Sequence, residues 1–359
     1  MRHPLEKESP SAAFLEMAYF ISPYPLRYIT YMDGKESKNR QLCLRLRRAG
    51  YLDKEKLNTK PYVTIGKGAG REPFENAIRW YKSNRKQYTH LPNAKKRNMN
   101  IRRADGLALA AIAMKGAGAV VNPSQKPAFG LRAKETGRYY FHAREIKGAS
   151  NLIGERQSRA CGALINGYDL YHVFAEKKRA GTLPKAAEIK QWQISMRQAE
   201  EMFGRDVRVR GKRAIVLSEL DSFPESVLKP GRIVSGYTMF EDLYFFNVRS
   251  EMDILRTFLD GGLDTPLFPE KMRKDSGGYL ADYRIGSDFC FEFFRPNVTR
   301  LMKFLTSLKI HGKLLPGRGV IYCFDVQKDQ IDAAVGNLAE IRTITWEEYL
   351  TCVSAYQKP

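Results

Sequence analysis

Glu36-Ser-Lys-Asn-Arg-Gln-Leu-Cys-Leu-Arg-Leu-Arg-Arg-Ala-Gly50 is the stretch that decides how the first third of this 359-residue chain folds. A helix from about Lys35 places Leu42, Leu46 and Ala49 on one side. Arg40, Arg45, Arg47 and Arg48 then lie mostly elsewhere on its surface, and Gly50 supplies the stop. Upstream, Phe14, Met17, Ala18 and Ile21 recur at helical spacing over 11–21, with Ser11 as the predicted cap. Ser22-Pro23-Tyr24-Pro25 interrupts that run, and a short second helix, Leu26 to Met32, ends at Asp33-Gly34. Downstream come Tyr51-Leu52, an alternating strand Tyr62-Val-Thr-Ile65 and the cationic loop Gly66-Lys67-Gly68-Ala69-Gly70-Arg71.

Helix, helix, basic helix, strand and Gly-rich turn is the order of a winged helix. In helix-turn-helix modules the second helix of the motif enters the major groove. Lys38, Asn39, Arg40 and Gln41 are therefore expected to approach base edges, since Arg, Asn and Gln make the bidentate contacts that distinguish bases. Arg45 and Arg48 join them as DNA-binding residues, and Lys67 and Arg71 at the wing are expected to meet phosphates or the minor groove. The alternative is a winged helix that binds protein, its arginines a solvated face. The 66–71 loop, ahead of a helical run Pro73 to Lys82, has the setting of a phosphate cradle. It lacks the Gly-Lys-Ser/Thr closure of a Walker loop and the G-x-G-x-x-G pattern, and reads as a wing tip.

Charge points the same way. The chain carries a net +21, and residues 1–105 alone hold 23 Lys and Arg against 10 Asp and Glu. A positive field concentrated in one region suits a polyanion better than it suits solubility, which an even spread would serve. The five cysteines (43, 161, 290, 323, 352) form no CxxC pair. Cys43, Cys290 and Cys323 sit in apolar periodic runs, the setting of buried thiols. Zinc is not expected, and a cytoplasmic location is. No run approaches 18 apolar residues, so no membrane partner is expected, and Met-Arg-His-Pro-Leu-Glu-Lys-Glu lacks the apolar core of a signal peptide.

From Ser83 to Arg103 the chain is polar and basic, and Lys95, Lys96 and Arg97 are expected to track phosphates as an arm. A helical pattern over 101–114 (Ile101, Ala104, Leu107, Ala108, Ala111, Met114) ends at Gly116-Ala-Gly118. It reads as a lid on the next domain or as a second helical DNA element. The predicted organisation is thus 1–82 winged helix, 83–135 basic linker and helix, and 136–359 a mixed-sheet α/β domain, giving an α+β or α/β class overall.

In that last region Tyr139 to Ile146 predicts a strand. Gly162–Ile165 and Tyr168–Phe174, joined by Asn166-Gly167, predict a type I′ hairpin. A helix follows at 185–203, then strands at 214–218 and 243–248 and a helix at 250–259. A second hairpin, 279–285 and 288–294, turns at Gly286-Ser287. Helix 297–310, strand 319–326, helix 329–339, strand 341–345 and helix 346–355 complete a mixed sheet with helices on its faces.

Hairpin, long helix and strand at 162–218 are compatible with the core of the restriction-endonuclease-like fold. Such nucleases hold a divalent metal between acids on neighbouring strands, with a Lys to assist the water. The candidates are Glu145 with Lys147 and, separately, Asp169 ahead of Glu176. Asp169 and Glu176 lie on one strand, seven residues and roughly 23 Å apart, too far to share one metal. Pairing Glu145 with Asp169 across strands is open, and so is their reading as solvated charges at strand ends. The five histidines (3, 90, 142, 172, 311) offer no His-hydrophobe-His pair. His142 and His172, on predicted strands, are candidate neighbours. The tract Glu155-Arg-Gln-Ser-Arg-Ala160 reads equally as a DNA-backbone contact or as cover for a sheet edge.

The N-terminal Leu46-Arg-Arg-Ala-Gly50-Tyr-Leu52, with Glu145-Ile-Lys147, Ser158-Arg-Ala-Cys-Gly-Ala-Leu164 and Tyr171-His-Val-Phe174, resembles the replication-relaxation type of winged-helix proteins. These are encoded on plasmids and integrative conjugative elements. The resemblance implies DNA binding during replication or transfer, with a nuclease-like fold that often lacks a complete catalytic set. Gly162-Ala-Leu-Ile165 is poor in acids and departs from the active pattern.

The expectation is therefore a sequence-specific, non-catalytic binder of double-stranded DNA from a mobile element, without cofactor, acting in replication, transfer or transcriptional control. Two alternatives stand beside it. One is a magnesium-dependent DNA endonuclease; the other is an adaptor for a relaxosome or replication protein, or for a second copy as a homodimer.

Overall fold

A computed structural model describes residues 9–22, 24–31, 36–57, 60–66, 94–133, 136–149, 158–176, 185–204, 209–220, 223, 240–275, 280–311 and 317–356. The class is mixed α+β. The chain groups into two compact units. One comprises 1–156, 160–175 and 192–209; the other comprises 157–159, 176–191 and 210–359.

The first unit opens with α1 (Pro10–Ile21), strand β1 (Tyr24–Pro25), a 3₁₀ turn (Leu26–Tyr31) and α2 (Glu36–Arg48), followed by β2 (Leu52–Leu57) and β3 (Lys60–Ile65). The cap of α1 is Ser9, not Ser11: its hydroxyl accepts from the Ala12 N–H at 3.2 Å, and Pro10 takes the first helical position, where its missing N–H costs nothing. The second helix is a 3₁₀ turn, Leu26–Tyr31, and not an α-helix. The strands pair antiparallel in the order β1-β3-β2. β2 escapes sequence reading because Leu-Asp-Lys-Glu-Lys-Leu has no apolar alternation; it is the edge strand, where charge is tolerated.

Gly66 is not a wing tip. Its N–H donates to the Tyr51 carbonyl at 2.8 Å, so the chain leaving β3 returns beside the end of α2. The last described pair of the β2–β3 hairpin is Leu57 with Lys60. Lys67, Gly68, Ala69, Gly70 and Arg71, the helical run Pro73 to Lys82 and the polar stretch from Ser83 lie outside the described residues.

The helix expected at 101–114 is longer: α3 runs Ala94–Gly116, so Lys95, Lys96 and Arg97 stand on its first turns. From Ala104 to Met114 every residue of α3 is buried. That stretch is therefore not an exposed DNA element. It packs on α1, β1 and the 3₁₀ turn, and also on β4 (Arg138–His142) and β5 (Gly162–Asn166). Polar ties reinforce that packing. Asp105 accepts the Tyr62 hydroxyl at 3.2 Å and pairs with Arg27 at 3.2 Å. Glu16 accepts from Asn122 at 3.2 Å and from the Ser124 N–H at 2.8 Å.

β4, β5 and β6 (Asp169–Glu176) form an antiparallel meander. Asn166 pairs with Asp169, so the two tip residues are Gly167 and Tyr168, one position on from the expected pair; Gly167 takes φ +59°. β4 is shorter than expected, because α4 (Ala143–Ala149) begins where the strand ends. The meander carries Phe141, Ala163, Ile165 and Leu170 into a core with Phe129, Ile146, Ala199, Met202 and Val209. Ala199 and Met202 come from α5 (Lys185–Phe203), within which the chain passes between the units.

In the second unit β7 (Arg210–Ser218) pairs parallel with β8 (Asp242–Asn247), and α6 (Met252–Leu259) follows. β9 (Tyr283–Ile285) and β10 (Asp288–Glu292) make the hairpin expected at Gly286-Ser287, with Gly286 at φ +60°. α7 (Val298–His311), β11 (Gly319–Phe324), α8 (Lys328–Val335), β12 (Glu340–Ile344) and α9 (Trp346–Tyr356) complete it. The sheet order is β12-β11-β10-β9, and β10, β11 and β12 run parallel across helical crossovers.

Candidate functional site

The residues of α2 divide cleanly between inside and outside. Asn39, Cys43 and Leu46, spaced i, i+4 and i+7, are buried. That side packs on the 3₁₀ turn and on β2. Burial raises the Cys43 thiol above its usual range, with Arg47 and Lys54 pulling the other way. Ser37, Lys38, Arg40, Gln41, Leu44, Arg45 and Arg48 are exposed. At 100° per residue, Ser37, Gln41, Leu44 and Arg48 make one stripe with Arg40 beside it, while Lys38 and Arg45 form its flank.

The end of the helix is fixed firmly. Gly50 takes φ +77°. The Tyr51 N–H donates to the Leu46 carbonyl at 2.9 Å and the Gly50 N–H to the Arg47 carbonyl at 2.9 Å, which is the Schellman arrangement. The Tyr19 hydroxyl, from α1, donates to the Tyr51 carbonyl at 3.0 Å. A Cβ on Gly66 would lie 2.3 Å from the Gly50 oxygen, so only glycine lets the returning chain pass. The exposed arc is thus presented on a helix held at its C-terminus by α1 and by the strand exit.

Of the expected contact residues, Lys38, Arg40, Gln41, Arg45 and Arg48 share the exposed arc, and Asn39 does not. It is 8% exposed and turned to the packed side. Lys67 and Arg71 are outside the described residues; for Lys95, Lys96 and Arg97 the helical backbone is what is described. Leu44 was missed by sequence reading. It is 42% exposed within the arc, beside Arg40. The signal was present in the 37, 41, 44, 48 spacing, but an apolar residue in a helix is by habit assigned to the core.

The acid candidates are not brought together. Glu145 stands on α4, not on a strand. Its carboxylate accepts the His142 N–H at 2.8 Å and the Lys126 ammonium at 3.0 Å. Asp169 sits beside the hairpin turn, level with Arg138 across the meander, whereas Glu145 lies beyond His142 at the other end of β4. The intervening strand length is about 13 Å. Among the described residues no three of His, Cys, Asp and Glu gather as metal ligands.

His142 and His172 are not neighbours either. Phe141, Ala163 and His172 are in register, as are His142, Gly162 and Val173, so the two imidazoles point to opposite faces. His172 lies on the core face, and burial lowers it to about 3, keeping it neutral. In the tract at 155–160, Glu155, Arg156 and Gln157 are outside the described residues. The buried Ser158 hydroxyl and the Arg159 N–H are held by Glu188, at 2.9 and 2.6 Å.

The second unit has a cavity of about 150 Å³ lined by Arg273, Asp282, Tyr283, Glu292, Arg295 and Arg300, among others. Its charges are largely answered internally. Arg300 pairs with Asp282, Arg295 with Asp264, and the Tyr283 hydroxyl donates to Glu292.

Comparison with family models, with curated proteins and with solved structures finds no match to this chain. Among the described residues, no helix is long and apolar enough to cross a membrane.

Proposed function

We propose that residues up to Ile65 form a winged helix that binds double-stranded DNA through α2, without a chemical step on the DNA. The observation that carries this reading is the exposed arc: four cations, Lys38, Arg40, Arg45 and Arg48, around Gln41 on a helix fixed at its end. The surrounding order supports it. A helix, a short strand, a helical turn and α2 are followed by a hairpin pairing as β1-β3-β2, which is how such modules present their recognition helix. The arc is about a helix wide and so fits a major groove. The non-catalytic part is supported by Glu145, whose carboxylate is engaged by Lys126 and by the His142 N–H. The biological setting we propose, replication, transfer or control of transcription on a mobile element, rests on the resemblance of the motifs quoted above.

Salt dependence of binding to duplex DNA tests the reading. Replacing Lys38, Arg40, Arg45 and Arg48 by Gln removes four positive charges from the DNA face and should flatten the log–log salt slope by about 3.6. Between 50 and 200 mM salt the parent should then lose about 150-fold more affinity than the variant. Equal slopes would refute α2 as the DNA-binding face, and magnesium-dependent cutting of the duplex would refute binding without chemistry.

A further inference from the structure

Leu44 is the feature of the arc that phosphate binding does not use. It is 42% exposed, yet it lies in a stripe whose other members are polar or cationic, beside Arg40. A leucine left in water among arginines gains nothing from solvation and adds nothing to a polyanion's attraction. Nor does the fold need it, since the buried side of α2 is supplied by Asn39, Cys43 and Leu46. The neighbours define what it meets. Gln41 and Arg48, three residues before it and four after, carry the donors and acceptors that read base edges, and Arg40 and Arg45 flank them. Among groups displayed in a major groove, one is apolar: the C5-methyl of thymine.

We infer that Leu44 is a specificity-determining residue that packs on a thymine methyl, so the bound site contains a thymine at the position facing the middle of α2. The inference rests on the DNA-binding reading given above and adds the base that the helix selects. The charge around Leu44 favours DNA as the occupant: a protein partner seated on this leucine would also have to answer Arg40 and Arg48 beside it. A methyl packed against a leucine is worth about a fourfold change in affinity, the value of one buried methylene-sized group.

The test uses the full chain and a random-sequence duplex library. Bound duplexes are enriched and sequenced, and each thymine of the enriched site is then replaced singly by deoxyuridine, which removes the methyl and nothing else. The expected result is one position at which that replacement costs the parent about fourfold and costs Leu44→Ala nothing. Alanine at this exposed helical position keeps the fold, which an unchanged circular dichroism spectrum checks. Leu44→Lys, a second variant, should strengthen binding to all sequences while losing the same discrimination. Three results would overturn the inference: enriched sites without a fixed thymine, uridine replacements that affect parent and Leu44→Ala alike, or salt-sensitive binding with no sequence enriched. Absence of any duplex binding would overturn the DNA-binding reading itself, and the inference with it.

Discussion

Lys126→Met should destabilise the first unit selectively. The Lys126 side chain is fully buried; its ammonium donates to the Val121 carbonyl at 2.8 Å, to the Tyr140 carbonyl and to Glu145 at 3.0 Å. Burial lowers its pKa and raises that of Glu145, while each partner opposes the other's shift. Removing the cation leaves a carboxylate that is 13% exposed with the His142 N–H as its remaining support. Breaking a buried pair on one side costs about 3–5 kcal/mol. At 1.36 kcal/mol per tenfold, that lowers amide protection by about two to nearly four powers of ten. Hydrogen exchange read by mass spectrometry checks it: peptides from β4 and β5 should exchange faster by that factor, with peptides from β10 and β11 as the internal reference. Lys126→Met/Glu145→Gln removes the stranded charge but keeps an acceptor for the His142 N–H, and should recover about 2 kcal/mol. In the single variant, burial holds the Glu145 carboxyl above its unfolded value of roughly 4.3, so the folded form binds the proton more tightly. The defect is then full above the folded pKa and shrinks as pH falls towards the unfolded one. A single variant within about 1 kcal/mol of the parent, or one whose defect grows in acid, would refute the reasoning.

The other predictions concern separate places. Besides the flattened salt slope and the thymine-methyl discrimination given above, Glu251 should impose a pH dependence on the second unit. Burial raises it to about 8, against its hydrogen bonds from the Asn247 N–H and Gln330. The folded state therefore holds more protons than the unfolded one between roughly pH 4.3 and about 8, and stability should fall as pH rises through that window. Exchange protection of α6 and α8 in Glu251→Gln should lack this slope and exceed the parent's at pH 8; an identical slope would count against a buried neutral acid. Gly66→Ala, which sets a Cβ 2.3 Å from the Gly50 oxygen, should cost about 1–3 kcal/mol. An unchanged thermal midpoint would show that the chain exit from β3 is looser than described.

Most elements were legible because their signals are local. α2 ends at Gly50 as its sequence says, since a Schellman turn depends on one residue with φ above zero. The hairpins at Gly167 and Gly286 are legible for the same reason. What failed was non-local. β2 carries no alternation of its own and exists because β3 offers it an edge. α4 cuts β4 short because the Glu145 carboxylate caps the His142 N–H and so starts a helix where β-propensity continues. His142 and His172 were candidate neighbours until register put them on opposite faces. On α2 the basic residues expected to face out, Lys38, Arg40, Arg45 and Arg48, do so. Asn39 turns inward, against expectation, because the packed side is set by what the 3₁₀ turn and β2 present, not by hydrophobicity alone.

The burial of α3 on every side from Ala104 to Met114 bears on how the N-terminal module can be studied. A cut near residue 82 would take away the helix on which α1, β1 and the 3₁₀ turn rest, together with Asp105, the partner of Tyr62 and Arg27. The isolated fragment would expose the underside of its own core and aggregate or melt. Deleting the module from the remainder would strip the opposite flank of the same helix. Loss of activity after either truncation would therefore report a broken scaffold. Point substitutions on the outer arc of α2 test the proposed binding face while leaving this scaffold in place.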